Sequence, residues 1–317
     1  MALLTISAIV PTIGRPTSLR NLLQSLSVQT LKVSEVIVAD ASSSDETKAV
    51  IEQMQWQING LTIHHLRMQP PNAVRQREAA ISRAEGELLL LLDDDVVLEP
   101  DCVEQMVGVL MNTPNTVAVS ANYKNHAWPQ PTKPWRIYMR YVLKLNEGEW
   151  QGRVVGPLLR FGYYTTVTTP QPMEWLGTGK SLIRRTAFRD VGGFSDFFLH
   201  RCTMNEDVDL GIKLSKVGKI LFCPTALLSH YHAPEGRVSA VIAAEDDLYN
   251  RFHVFHRTMK YTYLKSLRLS FVFLFIETIS DLWGIIRFKN QGSRLKNSMG
   301  RFRAMGRILS RLALDER

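Results

Sequence analysis

The chain has 317 residues, 45% hydrophobic and 21% charged, a composition that excludes intrinsic disorder and allows one large α/β domain with an appendage or two modest domains. Its three cysteines, Cys102, Cys202 and Cys223, form no CxxC pair, which argues against a disulfide framework or a zinc site and for a reducing compartment. The net charge of +8 belongs to the tail: residues 248–317 hold 14 Lys and Arg against 4 Asp and Glu, a net +10, whereas residues 1–247 hold 24 against 26, a net −2.

Residues 1–10 are apolar but carry no basic n-region, and Pro11 ends the run, so no secretory signal is expected. Residues 6–10 (ISAIV) read as a buried strand stopped by Pro11. Thr17 is placed to cap a helix whose Leu19, Leu22, Leu23 and Leu26 form one apolar face. Residues 35–39 (EVIVA) predict a second strand, and Ser43 with Glu46 three residues on is a capping-box signature for the next helix. A third strand is expected at 61–66, a helix at 73–84, an unbroken apolar strand at 88–92 and a strand at 116–120, with Pro100 opening a helix between the last two. This alternation implies a mostly parallel sheet covered on both faces. Such sheets bind ligands beyond the carboxyl ends of their strands, and Asp40 and Asp93 stand at two of those ends. Residues 121–172 break the pattern with a run rich in Trp, Tyr and Pro, read as an insertion or lid. Order returns at 174–181, followed by a helix at 206–216 and a strand at 220–222; from residue 245 onward the pattern is helical with basic faces.

Asp93, Asp94 and Asp95 directly follow the apolar strand 88–92. Three adjacent acids at a sheet edge repel one another, and Mg2+ or Mn2+, which take carboxylate and phosphate oxygens, would compensate that charge. The plainer alternative is a solvated acidic loop that caps the next helix. Asp40 can accept hydrogen bonds from a base or ribose, or belong to a capping turn. Arg75 and Arg77 lie two apart on one helix and point to different faces, so one can reach a nucleotide while the other is solvated. Glu206, Asp207 and Asp209 open a helix whose dipole stabilises acids and lowers their pKa. That alone accounts for the pattern, unless one of them faces an acceptor as a general base. His230 and His232 are structural side chains or metal ligands.

The order of these segments carries a family resemblance. Residues 9–12 (IVPT) resemble an opening strand and nucleotide loop, and 36–45 (VIVADASSSD) a VIVVDDGSTD segment. Arg77 with 84–87 (AEGE) resembles ARN…A.GE, and 92–95 (LDDD) with Pro100 a DxD motif and its downstream proline. Residues 191–194 (VGGF), 206–209 (EDVD), Gly218 and His230 resemble GGF…EDxDl…G…H. Together they resemble glycosyltransferase family 2, inverting enzymes with the GT-A fold. Ala41 and Glu78 depart from the Asp or Gly and the Asn common in that family, which leaves the base preference open. Residues 171–175 (QPMEW) lack the Arg of the QxxRW motif of processive synthases, which favours addition of one sugar or a few over polymer extrusion.

The resemblance implies a GT-A type α/β/α sandwich with a mostly parallel sheet over 1–244, its nucleotide-binding part at 1–120 and its acceptor part at 121–244, followed by a helical, membrane-associating 245–317. It implies transfer of a sugar from a UDP-, GDP- or dTDP-sugar to a glycan or lipid-linked acceptor, with Mg2+ or Mn2+ as cofactor. Pro11, Thr12, Asp40, Arg77, Asp93 and Asp94 would bind the nucleotide, with Asp40 and Arg77 on the base and Asp93 on the ribose or beside the metal. Asp95 would bind the metal with His230 as an added ligand; Asp207 would be the general base; Trp175, Gly177, Thr178 and Glu206 would line the donor-sugar or acceptor side.

In the tail, Leu295, Met299, Phe302, Met305, Ile308, Leu309 and Leu312 recur at helical spacing with Lys296, Arg301, Arg303, Arg307 and Arg311 largely between them. That helix either lies in an anionic leaflet or packs on the domain with a solvated basic face. No uninterrupted stretch reaches the roughly 18 apolar residues of a membrane span. The nearest, 267–288, is broken by Arg268, Glu277, Asp281 and Arg287, and residues 271–276 within it are apolar enough to dip deeper. A cytoplasmic protein, peripheral at the inner face of the cell membrane, is expected. Two rival classes are a nucleotidyltransferase, for whose phosphate loop Thr12-Ile13-Gly14-Arg15 is a poor substitute, and a non-catalytic binder of nucleotide-sugars or nucleic acid. The tail holds no recognisable nucleic-acid module, so no nucleic-acid partner is expected.

Overall fold

The computed structural model describes residues 4–57, 60–126, 131–146, 148–152, 154–155, 160–161, 164, 166–200, 204–232, 238–287 and 291–315. The chain divides into two compact units, Met1–Ala127 with Thr165–Gly236, and Trp128–Tyr164 with Arg237–Arg317. The division differs from the expected boundary at 244: residues 128–164 of the aromatic insertion group with the C-terminal helices. Of the aromatic residues in that insertion, Trp128 and Tyr163 lie outside the described residues.

In the first unit, β1 (Ile6–Thr12), β2 (Glu35–Asp40), β3 (Thr62–Arg67) and β4 (Leu88–Leu92) pair in parallel in the order β3-β2-β1-β4. They alternate with α1 (Pro16–Ser27), α2 (Glu46–Gln57) and α3 (Ala73–Ile81). Strands β1, β2 and β4 are buried along their whole length, as continuous apolar runs are when both faces of a sheet are covered. Leu19, Leu22, Leu23 and Leu26 of α1 are fully buried in the same core as Ile6, Val36 and Leu90.

Strand β1 runs through Pro11 to Thr12 instead of stopping there; pairing with β4 ends at Ile9, which leaves one side of Pro11 without a ladder to satisfy. Helix α1 begins at Pro16, whose fixed φ suits the first turn, so Thr17 is inside the helix and not its cap. Helix α2 begins at Glu46 with Ala49 N bonded to Asp45 O, which leaves Ser43 outside it. The Asn72 side chain caps α3 by accepting from Arg75 N at 2.9 Å.

Beyond β4 the sheet is mixed. After β5 (Val96–Leu98), α4 (Cys102–Asn112) and β6 (Thr116–Tyr123), β10 (Lys180–Arg184) lies antiparallel between β4 and β6. The chain enters β10 from the carboxyl edge through residues 177–179, where Lys180 N donates to Gly177 O, and so runs back antiparallel to β4. Strand β11 (Lys219–His230) is parallel to β6 and antiparallel to β5 and to β9 (Gln171–Met173). Helices α6 (Arg185–Asp190), α7 (Asp196–Leu199) and α8 (Glu206–Leu214) connect β10 to β11. This topology brings the ends of β1, β2, β4 and β11 and the start of β10 to one edge of the sheet.

The second unit contains α5 (Lys133–Tyr141), the short antiparallel pair β7 (Val154–Val155) and β8 (Arg160–Phe161), α9 (Ala240–His253), a π-helical turn at Val254–Thr258, α10 (Tyr263–Ile286) and α11 (Gln291–Asp315). Helix α10 is long and apolar enough to cross a membrane by length and composition, and half of its most apolar stretch is buried. Of the charges that interrupt it, the two acids are buried and Arg268 and Arg287 are exposed: Glu277 and Asp281 meet Arg301 at 2.8 and 2.7 Å, and Trp135 Nε1 donates to Glu277 at 2.6 Å. Arg301, expected on the basic face of the tail helix, is therefore an interior residue. Met305 and Ile308 are likewise buried, whereas Leu295, Met299, Phe302 and Leu309 are exposed; the side chains of Arg311 and Leu312 lie outside the described ones. Gly300 permits the close crossing of α9 and α11, since a Cβ there would lie 2.2 Å from Val241 O.

Candidate active site

The acidic triplet occupies the turn after β4, and each of its members has a different environment. Asp94 is buried, accepts from Thr12 Oγ1 at 2.7 Å and pairs with Arg15 at 2.9 Å. Burial pushes its pKa up to about 6 against the pull of Thr12 and Arg15. Asp95, also buried, lies 3.0 Å from His230 Nε2 and 3.7 Å from Arg15. Asp93 is half-buried and accepts from Arg77 Nη2 at 2.5 Å. Its place depends on Gly179: a Cβ there would lie 2.1 Å from Asp93 Oδ2, and Asp93 N donates to Gly179 O at 3.2 Å.

Asp93, Asp95 and His230 each offer one ligand atom, all within 4.8 Å of one another. Two carboxylates and an imidazole suit Mn2+ or Mg2+. The residues present fit a divalent cation. His230 is held against the Tyr123 ring, centroids 5.2 Å apart, and beside the His232 ring at 3.9 Å.

Arg77, buried on α3, links the triplet to α8: its Nη1 lies 3.9 Å from Glu206 Oε1, which also accepts from Thr178 Oγ1 at 3.3 Å. Burial pushes the Glu206 pKa up, against Arg77, so desolvation outweighs the lowering expected at a helix onset. Asp209 is fully buried, accepting from Ser195 Oγ at 2.6 Å with Lys213 Nζ at 3.4 Å. Asp207 is half-buried and accepts from Val208 N at 2.8 Å.

Asp40, at the end of β2, accepts from Ser42 N at 2.8 Å and contacts His65 Nε2 at 3.0 Å. Pro11 is buried in β1 opposite Ala39, and Gln76 Nε2 bridges Thr12 O and Ala39 O. Trp175 is buried beneath α8, where Gly211 approaches its backbone: a Cβ on Gly211 would lie 2.8 Å from Trp175 Cα. Gly177 lies against the Lys180 side chain. The structure thus brings Thr12, Arg77, the triplet, Thr178, Glu206 and His230 into one connected network. It adds Arg15, Gln76, Gly179 and Lys180, which the sequence motifs did not single out. Of these, only Arg15 had a local signal, in the Gly14-Arg15 pair after β1.

A family model described as Glycosyl transferase family 2 matches residues 7–192, a span that includes Thr12, Asp40, Arg77 and the triplet and ends before α8 and His230. The O-antigen biosynthesis protein RfbC of Myxococcus xanthus is 27% identical over 248 residues, 76% of this chain but only 18% of that protein's length. The N-acetylglucosaminyl-diphospho-decaprenol L-rhamnosyltransferase of Mycobacterium tuberculosis is 25% identical over 240 residues, 68% of this chain and 72% of its own. The mannosyltransferase PcManGT from Pyrobaculum calidifontis, solved in complex with GDP-Man and Mn2+, superposes with a TM-score of 0.58 at 15% identity, over 98% of this chain and 88% of that one. That likeness shows a shared GT-A fold. With the matched span covering more than half of the sequence, the chain belongs to glycosyl transferase family 2.

Proposed function

We propose that the chain transfers a single sugar from a nucleotide-diphosphate sugar to an acceptor hydroxyl with inversion at the anomeric carbon, and that the acceptor is a lipid-linked or polysaccharide precursor. The observation that carries this reading is the meeting of Arg77, the triplet, His230 and the opening of α8 at one sheet edge. The diphospho-decaprenol acceptor of the mycobacterial relative supports a polyprenyl-diphosphate acceptor, and the GDP-Man complex supports a nucleotide-sugar donor.

In this reading Asp40 and Arg77 receive the base, and Thr12 and Asp94 shape the floor beside it. Asp93, Asp95 and His230 would hold Mg2+ or Mn2+, which when bound neutralises charge on the departing diphosphate. Among the acids of α8, Asp209 is committed to Ser195 and Lys213. Glu206 is buried against Arg77 and Thr178, with its pKa raised. By its match to the family's EDxD segment, Asp207 is the member assigned to take the acceptor's proton. The acceptor oxygen bonds to the anomeric carbon from the face opposite the diphosphate, the bond to the diphosphate breaks, and the proton goes to Asp207. Trp175, Gly177 and Thr178 are assigned to the donor-sugar or acceptor side. The enzyme would work in the cytoplasm, peripheral at the inner face of the cell membrane, with its basic second unit toward the lipid.

The test begins with thermal shifts of the protein with UDP-, GDP- and dTDP-sugars and Mn2+, which name the donor. Asp207→Asn is then expected to bind that donor near normally by calorimetry while transfer falls by roughly 10²–10⁴-fold, the usual contribution of a general base. Asp209→Asn should cost transfer much less and stability more. Normal transfer by Asp207→Asn would place the base elsewhere.

A further inference from the structure

Helix α10 carries two chemically opposite faces. One holds Glu277 and Asp281, buried with Arg301, beside the buried Phe273, Leu274 and Ile276. The other exposes Phe271, Phe275, Ile279, Leu282, Trp283 and Ile286, with Phe275 at 65% and Ile286 at 72%. Those six recur at helical spacing over residues 271–286, a stripe about 22 Å long at 1.5 Å per residue. Between α10 and α5 lies an apolar groove of about 790 Å³, with Phe271, Phe275, Ile279 and Trp283 on one side and Ile137 and Tyr138 on the other. A contiguous exposed apolar surface of this kind marks an interaction site.

Its surroundings are cationic. The unit that contains it, residues 128–164 with 237–317, holds 21 Lys and Arg against 9 Asp and Glu, a net +12, while the rest of the chain holds 17 against 21, a net −4. At the groove itself, Lys133 Nζ lies 5.5 Å and the Arg287 guanidinium 4.6 Å from the centre of the Trp283 ring. Cations with apolar stems beside an amphipathic indole are the side chains that settle where hydrocarbon meets headgroup.

We propose that the α5–α10 face seats in an anionic bilayer, the groove taking lipid hydrocarbon and Lys133 and Arg287 meeting the headgroups. This assigns a docking surface within the peripheral-membrane reading above and rests on it. A symmetric dimer through the same face would set two strongly positive units against each other, which opposes that occupant. Helix α11, the segment whose sequence points to membranes, gives Met305, Ile308 and Arg301 to the interior and is the lesser surface.

The test is sedimentation of the full chain with phosphatidylcholine vesicles, with and without phosphatidylglycerol. The parent is expected to bind those containing phosphatidylglycerol. Phe275→Glu should weaken that binding at least about tenfold, because a phenyl group leaves the hydrocarbon and a charge enters it. Arg287→Glu should weaken it as well, while Phe302→Glu, on the exposed side of α11, should bind within about threefold of the parent. If Phe275→Glu lowers the melting temperature, Ile286→Glu at the far end of the stripe replaces it. Parent protein that ignores these vesicles, Phe275→Glu that binds like the parent, or a dimer in light scattering that Phe275→Glu dissolves would each overturn the assignment. Donor hydrolysis in solution separates this outcome from the fate of the sugar-transfer reading: hydrolysis without vesicle binding sinks only the docking face, and vesicle binding without donor binding sinks only the reaction.

Discussion

Lys180 sits at the start of β10 with its ammonium buried, donating to Ala121 O at 2.8 Å and lying 4.4 Å from the centre of the Tyr123 ring. Burial pushes its pKa down to about 7, against about 10.4 for a lysine in water. Between those values the unfolded chain binds more protons than the folded one, so this group makes stability rise as pH rises from about 7 to about 10. Urea unfolding of the parent and Lys180→Met at pH 7 and 9 should show the parent gaining about 2 kcal/mol on the variant; no change in their difference would mean that Lys180 keeps its ordinary pKa. Asp95 belongs to a different balance, since it shares His230 and Arg15 and is one of the three ligand candidates. Asp95→Ala should lose both turnover and the thermal shift that Mn2+ induces, and full parent activity in excess EDTA would remove the metal from the mechanism. That an acid cluster stood here was legible in the sequence. The family resemblance put Asp95 with His230, but that Asp94 faces Thr12 and Asp93 faces Arg77 was not legible, because those partners come from a different strand and a helix.

At the scale of elements, α10 and α11 are joined by buried charge. Taking Arg301 away leaves Glu277 and Asp281 without the cation they share, and loss of one partner from a buried ionic set costs about 3–5 kcal/mol. Arg301→Met is therefore expected to lower the unfolding midpoint sharply, and adding Glu277→Gln and Asp281→Asn to it should recover part of the loss. A neutral Arg301→Met would show that the set is solvated. Truncation before residue 295 also removes Arg301, so it tests the integrity of this unit as much as any membrane role of the tail. The amphipathic period of α11 is legible in the sequence, but the same period places all of its arginines on an outward face, whereas Arg301 is buried. The helix wheel cannot show that one of those arginines faces two acids on the preceding helix.

Across the whole molecule, charge is divided by unit, −4 in one and +12 in the other. If the second unit docks on lipid through both charge and apolar contact, binding to anionic vesicles should weaken as salt rises from about 0.05 to about 0.5 M, over which the screening length shrinks to a few ångströms. A residue of binding should survive, because apolar burial is not screened. Complete release at high salt would assign the association to charge alone.

Local signals determined the alternation of β1 to β4 with α1 to α3, the buried character of those strands and the place of the acidic triplet after β4. Apolar runs and the residues that punctuate them act within a few positions of chain. The order of the family's motifs was likewise readable, and the family match agrees with it over residues 7–192. Only the tertiary structure decided the rest. It placed β10 antiparallel beside β4, so that Gly179 seats Asp93, and carried β11 far enough to set His230 beside Asp95. It grouped residues 128–164 with the C-terminal helices and buried Glu277, Asp281 and Arg301 together. These outcomes depend on strand pairing and desolvation between segments up to more than a hundred residues apart, and periodicity within one segment carries no record of its distant partner.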